Sequence, residues 1–341
     1  MKKYLLSENG NFYKANLHCH TTYSDGQRTP EQVKEIYKSK GYSVVAYTDH
    51  DILISHSDLD DENFLALHGF EVEINEPPRE DKKPTKCCHI CMIALEPDNM
   101  TQPLWHRSRY LFANAVKYRD EVQFDETQPD YERRFGAEGI SEIMQTMREK
   151  GFFVTYNHPT WSREDFTDYT GYKGMHAMEI FNGGCIEVGY LDYNPRVYDD
   201  ILREGNRIYC IGADDNHNFN PDDTRRCDSG WAWTVIKAPS LEYREITKAL
   251  EAGNFYASEG PSIEELWYED GKVHIKCSAA DRILCNYDVR RAHSVLDETG
   301  EGVCEAEFEL IQDYGFFRLT VIDKNGKCAC TNAYFKDELG C

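Results

Sequence analysis

Histidines and carboxylates end a series of apolar runs, and this repeated pattern constrains the fold more than any other feature of the chain. The runs are rich in Val, Ile, Tyr and Phe and predict buried strands: "YKANLHCH", "YSVVAYTDHD", "HGFEVEI", "CHICMIAL", "FFVTYNHP", "AMEIFN" and "IYCIGADDNH". Amphipathic segments between them predict helices: "TPEQVKEIYKSKG", "GISEIMQTMREKG" and "LEYREITKALEAG". Strand–helix alternation over residues 16–252 predicts an α/β fold with a barrel-like parallel sheet.

The first helix carries its own start and stop signals. Thr29 suits the N-cap, Pro30 suits the first helical position, and Glu31 lies in the first turn. Gly41 then ends the helix. These signals predict a helix between the first two strands.

The hydrophobic pattern of the sequence changes after "GNFYASEGPS". Short alternating runs follow, namely "KVHIKCSA", "EAEFELI" and "FFRLTVID", and the hairpin-type turns "EDGK" and "DKNGK" lie among them. We therefore expect a barrel-like domain over residues 1–255 and a small antiparallel β domain over residues 256–341. The segment "NEPPREDKKPTK" is expected to form an exposed loop.

Charge and composition narrow the range of partners. The formal net charge is −22, from 60 acidic and 38 basic residues, which argues against a broad nucleic-acid surface and against an anionic membrane. The N-terminus has only a two-leucine apolar step, and the sequence has no apolar run of about 18 residues. We expect a cytoplasmic protein whose 13 cysteines are free thiols. Zinc knuckles at "KCCHIC" and "KCAC" are a weaker alternative, because the repeated C-x2-C spacing is missing.

Functional side chains collect at the carboxyl ends of strands in parallel sheets. His18 and His20 are two residues apart, so they project from one strand face with roughly 7 Å between their Cα atoms. The other predicted strands carry further polar residues near their ends: Asp49, His50 and Asp51; Glu71 and Glu73; His158; Asp215 and His217. His89 instead begins its run, so the direction of that strand stays open.

A single histidine near a strand end is more often a hydrogen-bonded core residue than a ligand. Here six of the twelve histidines coincide with carboxylates at five or six strand ends. Buried ionisable groups cost several kcal/mol each unless they are paired or coordinated. One metal cluster explains all of these positions together, and mixed imidazole and carboxylate ligands suit Mn, Fe or Zn.

Five motifs occur in an order that resembles the PHP (polymerase and histidinol phosphatase) superfamily of metal-dependent hydrolases. They are "HCHTTYSDG", "YTDHD", "GFE", "NHP" and "DDNH", and the resemblance covers residues 14–255. It implies a distorted (β/α)7 TIM-like barrel that holds two or three divalent ions, commonly Mn, Fe or Zn. The segment "GNFYASEGP" and the β-rich tail are similar to a stand-alone CehA/McbA-like group.

The resemblance also implies a division of ligands. His18, His20, Glu71 and Asp215 would surround one ion, Glu71 would bridge to a second ion held by His89 and His158, and Asp25, His50 and His217 would hold a third. Asp49 would orient a histidine through its other ring nitrogen. The role of Glu73 stays open between an extra ligand, an acid–base group and an outward-facing salt bridge, the last being the favoured interpretation.

The expected activity is hydrolysis of a phosphoric ester by a metal-activated water. The substrate would be a small, anionic phosphorylated metabolite or nucleotide, with His50 or His217 protonating the leaving oxygen if the third ion is absent. Neighbouring arginines are candidates to contact it: Arg28, Arg163, Arg225 and Arg226. Aromatic residues beside the motifs are candidates to line the pocket, although aromatics near strand ends usually serve packing: Tyr23, Tyr47, Tyr156 and Trp161. An apolar pocket would instead favour a carboxylic ester, amide or carbamate, and a non-catalytic metal-binding module is a third reading. The oligomeric state stays open.

Overall fold

Strands make up most of the regular structure of this mixed α/β protein. The computed structural model describes residues 2–78, 80 and 85–340. Its strands are β1 Lys3–Tyr4, β2 Asn11–Asn16, β3 Val44–Tyr47, β4 Leu65–Asn75, β5 Cys87–Ala94, β6 Phe152–Tyr156, β7 Ala177–Asn182, β8 Tyr209–Ala213, β9 Trp233–Ala238, β10 Phe255–Ser258, β11 Ile263–Glu269, β12 Lys272–Ala280, β13 Arg282–Tyr287, β14 Ala292–Leu296, β15 Val303–Glu309, β16 Phe316–Ile322, β17 Cys328–Thr331 and β18 Tyr334–Phe335.

The helices include the three that the sequence predicts. The α-helices are α1 Pro30–Ser39, α2 Ala137–Glu149, α3 Phe166–Tyr169, α4 Gly183–Glu187, α5 Pro195–Arg203 and α6 Tyr243–Glu251, and short 3-10 helices span Ser57–Leu59, Ala113–Glu121 and Lys336–Glu338. At the start of α1, the Thr29 side chain accepts from the backbone N–H of Gln32, and the Gln32 side chain accepts from the N–H of Thr29. This reciprocal cap confirms the predicted start, and Val33 and Tyr37 bury the apolar face of α1.

The strands that carry the predicted ligands lie side by side in one large sheet. Its order runs β14-β13-β16-β17-β10-β9-β2-β3-β4-β5-β6-β7-β8. The pairs within β2–β3–β4 and within β6–β7–β8 are parallel, whereas β5 is antiparallel to both β4 and β6. The chain therefore returns directly from β4 into β5, and the predicted strand–helix alternation is interrupted here.

The predicted (β/α)7 barrel is not confirmed, because the sheet does not close. β9 pairs antiparallel with β2 along Asn11–Ala15 and so occupies the edge of β2 that β8 would need. Residues after β8 still reach the residues after β2. The N–H of Asp215 donates to the carbonyl of His18 (3.0 Å), and the N–H of His20 donates to the carbonyl of Asn216 (3.1 Å).

The C-terminal part is antiparallel, as the sequence predicts. The large sheet continues from β9 through β10 into β17, β16, β13 and β14, while β1, β11, β12 and β15 form a second sheet. The predicted hairpin turns lie between β11 and β12 and between β16 and β17. The division at residue 255 stays a prediction, since β10 begins there and bonds to strands on both sides.

Three smaller predictions can be compared with the described residues. Part of the predicted exposed loop, residues 79 and 81–84, lies outside them. Within them, no helix is long and apolar enough to cross a membrane. None of the described cysteines forms a disulfide.

Candidate metal centre

The strand directions bring all nine predicted ligands to one end of the sheet. Because β5 is antiparallel to β4, its register places His89 opposite Glu73 and beside Glu71. The strand that the sequence left without a direction therefore delivers its first residues to the carboxyl end of β4. We call the nine side chains the ligand cluster: His18, His20, Asp25, His50, Glu71, His89, His158, Asp215 and His217.

The innermost four side chains surround one point. His18 Nε2 lies 3.1 Å from His20 Nε2, and each of these nitrogens lies 3.1 Å from Asp215 Oδ1. Glu71 Oε1 is 3.2 Å from His18 Nε2, and Glu71 Oε2 is 3.3 Å from His20 Nε2. Two ligand atoms that each lie about 2.1 Å from one ion, at tetrahedral or octahedral angles, are about 3.0–3.4 Å apart. The observed separations match that geometry.

A second group forms around the other side of Glu71. Glu71 Oε1 lies 3.1 Å from His89 Nδ1 and 3.6 Å from His158 Nε2. Ligand atoms of these three residues all lie within 4.8 Å of one another. Cys91 also approaches Glu71 and His18 within that limit, and it accepts a hydrogen bond from the Asn157 amide (3.1 Å). Glu71 is thus the carboxylate shared between the two groups.

A third group contains His20, Asp25, His50 and His217. Asp25 Oδ2 lies 3.2 Å from His217 Nε2 and 3.8 Å from His50 Nε2. His20 Nδ1 is 3.6 Å from Asp25 Oδ1, and it is buried without a hydrogen-bond partner among the described residues. An unpaired buried nitrogen is costly. If His20 Nε2 binds the first ion, Nδ1 carries the ring proton and faces Asp25, so Asp25, His50 and His217 remain as the ligands of this group.

Without an ion, the carboxylates and imidazoles of the cluster pair as opposite charges. Burial lowers the pKa of His18, His20 and His89, but the neighbouring carboxylates outweigh it and raise each pKa well above its usual value. Burial by itself raises the pKa of Glu71, but His18, His89 and His50 outweigh it and hold that pKa well below its usual range. Burial and the neighbouring His20 lower the pKa of His50 to about 3. Metal ions bind ionised carboxylates and neutral imidazoles, so metal binding to this cluster would release protons from His18, His20 and His89. The mixed donor set fits a divalent transition metal better than Mg or Ca.

The turn that carries Asp25 depends on Asp49. Asp49 Oδ1 accepts from the backbone N–H groups of Thr21 (2.8 Å) and Ser24 (3.0 Å), and Oδ2 accepts from the Thr21 hydroxyl (2.7 Å). Gly26 completes the turn, where a Cβ would lie 2.6 Å from the His20 carbonyl. The expectation that Asp49 orients a histidine ring is therefore wrong. Its carboxylate holds the loop that positions His20 and Asp25.

Glu179, which sequence reasoning missed, is the buried carboxylate that orients His18. Its Oε1 lies 2.7 Å from His18 Nδ1, and its Oε2 accepts from the His158 backbone N–H (2.9 Å) and the Asn182 amide (2.9 Å). A proton on Nδ1 leaves the Nε2 lone pair of His18 facing the cluster. Its only signal in the sequence was a carboxylate in the middle of the apolar run "AMEIFN".

Glu73 faces the cluster, so the favoured outward salt bridge is wrong. Glu73 Oε2 lies 3.2 Å from His89 Nε2, on the ring edge opposite the one that meets Glu71. Glu73 therefore orients His89, or adds a ligand next to it.

The four predicted substrate arginines do not reach the cleft above the cluster. Arg28 pairs with Asp222 (3.2 Å), Arg226 pairs with Glu187 (3.2 Å), and Arg163 lies over the Tyr190 ring (5.5 Å). Arg225 is exposed. None of the four lines the cleft.

The arginine that does approach the centre is Arg133, which the motifs did not indicate. It comes from the long segment between β5 and α2, and it lines an adjoining cavity of about 230 Å³ together with His50 and Glu73. Its guanidinium pairs with Asp51 and donates to the Glu73 carbonyl (2.9 Å). Arg133 thus joins this segment to the strand ends that carry the ligands.

The cleft above the cluster has a volume of about 320 Å³. Of the four aromatic residues that the sequence suggested, only Trp161 lines it, together with Phe112 and Phe219; Tyr23, Tyr47 and Tyr156 do not. A larger cavity of about 450 Å³ lies between the β5–α2 segment and α2, but none of its lining residues belongs to the ligand cluster. The smaller cleft is the candidate active site because the titratable groups converge there.

Comparisons with known proteins found similar structures but no similar sequence family or curated protein. No family model matches the chain, and no curated protein matches it. A two-domain protein from Bacteroides vulgatus that contains a predicted PHP-like metal-dependent phosphoesterase is similar in structure, with a TM-score of 0.44 and 15% identity, over 98% of this chain and 97% of that chain.

Two further solved structures are similar over a smaller part of the chain. One is a candidate metal-dependent phosphoesterase from Bifidobacterium adolescentis, with a TM-score of 0.38 and 15% identity over 61% of this chain and 89% of that chain. The other is an amidohydrolase from Chromobacterium violaceum with bound sulfate and no metal, with a TM-score of 0.42 and 15% identity over 71% of this chain and 96% of that chain. All three TM-scores lie below 0.5, so no functional argument is based on these structures. The function proposed below rests on the geometry of the centre itself.

Proposed function

We propose that this protein is a metal-dependent hydrolase that cleaves a phosphoric ester of a small molecule, such as a phosphorylated metabolite or a nucleotide. The cluster would hold two or three divalent ions, with Mn, Fe and Zn as the candidates. The observation that carries the proposal is the convergence of nitrogens and carboxylate oxygens at 3.1–3.3 Å around one point. The PHP-like motifs of the sequence support the same assignment.

In this proposal the side chains around the centre have different roles. Bound ions would polarise the ester and acidify a water molecule. Glu71 would hold two groups of ligands in a fixed relation, and Glu179 would keep His18 in the tautomer that presents Nε2. His217 lies at the cleft with its Nε2 directed at Asp25, so it is the side chain best placed to protonate a leaving oxygen if the third ion is absent.

An anionic substrate is compatible with the acidic chain. The net charge of −22 spreads over the whole molecule, whereas bound divalent ions dominate the charge at their own site. The small concave cleft suits a small molecule and does not resemble a broad nucleic-acid surface.

One observation favours a second candidate, hydrolysis of a carboxylic ester, amide or carbamate. Among the described residues, no lysine or arginine lines the cleft, while Phe112, Val188 and Phe219 do. A cleft with apolar side chains beside the ligand cluster and no lysine or arginine among its described lining residues suits an uncharged acyl substrate at least as well as a phosphate.

Metal content and activity, measured together, test the proposal. Purified protein expressed with Mn or Zn would be analysed for metals and assayed with p-nitrophenyl phosphate and p-nitrophenyl acetate. The same measurements would be made on the double variant His18→Ala, Asp215→Ala. A matched control, His293→Ala, Asp313→Ala, removes one histidine and one aspartate that lie in the C-terminal part, away from the cluster.

We expect bound metal and phosphatase activity in the wild type and in the control, and loss of both in the His18, Asp215 variant. Bound metal with esterase activity alone would favour the second candidate. A wild-type protein that takes up no metal would refute the whole centre.

A further inference from the structure

Large apolar side chains are exposed around the mouth of the cleft. Phe112, Val188 and Phe219 are 54%, 63% and 68% exposed, and all three line this one cavity. Single exposed hydrophobic residues are common on protein surfaces, but a group of them around a concave site marks a binding surface.

The aromatic rings at the mouth contact the ligand histidines directly. The ring of Phe219 stacks on His217 with 5.7 Å between centroids and 10° between planes. The ring of Phe112 meets His50 edge-on at 5.5 Å. Exposed aromatic rings are therefore in direct contact with two of the candidate metal ligands.

A third ring lies deeper in the same cleft. Trp161 packs edge-on against His158 at 5.0 Å and against His89 at 5.2 Å. Phe112, Trp161 and Phe219 therefore line the cleft next to the ligand cluster, where a group close to the scissile bond would lie.

The charges around the cleft restrict what that group can be. Besides the cluster, the described ionisable residues that line the cleft are acidic: Glu73, Glu187 and Asp228. Among the described residues no lysine or arginine lines the cleft, and Arg226 next to it is already paired with Glu187 (3.2 Å), so a negatively charged substituent would meet carboxylates. A flat and uncharged ring would instead cover the exposed aromatic surface.

We propose that Phe112 and Phe219 determine specificity by binding a planar aromatic group joined through the ester oxygen to the scissile phosphoryl or acyl group. Within the proposed function this narrows the substrates to esters of aromatic alcohols. The inference rests on the proposed function, which specifies the bond that is cleaved. It adds the chemical class of the group next to that bond. Stacking of a ring on an aromatic side chain strengthens binding roughly 5- to 100-fold. An aryl or heteroaryl ester is then preferred to an alkyl ester.

Binding of two phosphonates that differ only in the presence of a ring tests this inference without hydrolysis. Calorimetric titrations of the Mn-loaded protein would compare phenylphosphonate with methylphosphonate. The variants are Phe112→Ala, Phe219→Ala and their double mutant, with Phe219→Tyr to restore a ring. Phe166→Ala is the matched control, because Phe166 is 48% exposed on α3 but does not line the cleft.

The wild type, Phe166→Ala and Phe219→Tyr should bind phenylphosphonate at least about 5-fold more tightly than methylphosphonate. The double mutant should bind the two alike, with metal content and circular dichroism unchanged. Equal binding by the wild type, no binding of the aryl ligand, or a ring preference that survives the double mutation would each overturn the inference.

Hydrolysis assays separate this inference from the proposed function. A ring preference in a protein that hydrolyses neither p-nitrophenyl ester refutes the function and leaves the aromatic site supported. Hydrolysis without any ring preference refutes the aromatic site alone.

Discussion

Replacing Glu179 with glutamine should weaken metal binding although Glu179 itself is not a ligand. The carboxylate accepts from His18 Nδ1, from the backbone N–H of His158 and from the Asn182 amide. Glutamine keeps one acceptor oxygen and turns the other position into a donor. In one orientation its NH2 group opposes the donors of His158 and Asn182. In the other it faces His18 Nδ1 and moves the proton of that ring to Nε2, which then cannot bind a metal.

The magnitude follows from these two orientations. Loss of an orienting partner of a ligating histidine lowers metal affinity about 10- to 100-fold, which corresponds to about 1.4–2.7 kcal/mol. A hydrogen bond to a charged group also contributes about 1.5–3 kcal/mol to folding, so the free energy of unfolding of the metal-free variant should fall by a similar amount.

Competition with a chromophoric chelator would measure the Mn or Zn affinity of Glu179→Gln. Glu164→Gln is the matched control, because Glu164 is a buried carboxyl that bonds to the hydroxyls of Tyr156 (2.7 Å) and Tyr172 and to no ligand of the cluster. The reasoning is refuted if Glu179→Gln binds metal within 2-fold of wild type, or loses no more affinity than Glu164→Gln does.

Three further predictions concern stability. Burial raises the pKa of Glu164 from 4.5 to about 7, so the native state binds more protons than the unfolded chain between these values. The free energy of unfolding of the metal-free protein should therefore fall by about 3 kcal/mol on this account as pH rises from 4.5 to 7, and Glu164→Gln should flatten the profile in denaturant titrations. Thr29→Ala removes the cap of α1 and should lower the free energy of unfolding by about 1 kcal/mol, while Thr29→Ser should change it little. Mn or Zn at 100 times its dissociation constant should add about 2.7 kcal/mol, seen as a higher melting temperature that the His18→Ala, Asp215→Ala variant does not show.

Each of these predictions has a result that contradicts it. The protonation of Glu164 in the native state is wrong if wild type and Glu164→Gln have parallel pH profiles. The cap of α1 contributes nothing if Thr29→Ala and Thr29→Ser are equally stable. An equal rise in melting temperature with metal in wild type and in the double variant would place metal binding outside the cluster.

Elements with local signals could be predicted from the sequence. The start of α1 follows from Thr29, Pro30 and Glu31, and the cap that Thr29 forms with Gln32 in the structure needs no distant partner. Apolar runs that stop at His or Asp mark strand ends, and these local signals account for six of the nine ligands: His18, His20, His50, His158, Asp215 and His217.

Features set by distant pairing could not be predicted. The direction of β5, and with it the position of His89, depends on its register with β4 and β6. The open sheet depends on β9 pairing with β2 rather than on any local pattern. Arg133 reaches the centre from a segment with no strand or ligand motif, so its sequence neighbours gave no signal.

The pairing of β1 with β11 and of β2 with β9 has a consequence for how the chain folds during synthesis. Lys3 pairs with Tyr268, and Asn11 pairs with Ala238. Each of the two N-terminal strands therefore has a partner strand that is synthesised much later. Contacts of such long sequence separation form slowly, and unpaired strand edges promote aggregation in the meantime. The same delay applies to the centre, because His18 and His20 meet Asp215 only after most of the chain has emerged. Metal uptake should therefore be a late event in the biogenesis of this protein, after the sheet has been assembled from both ends of the chain.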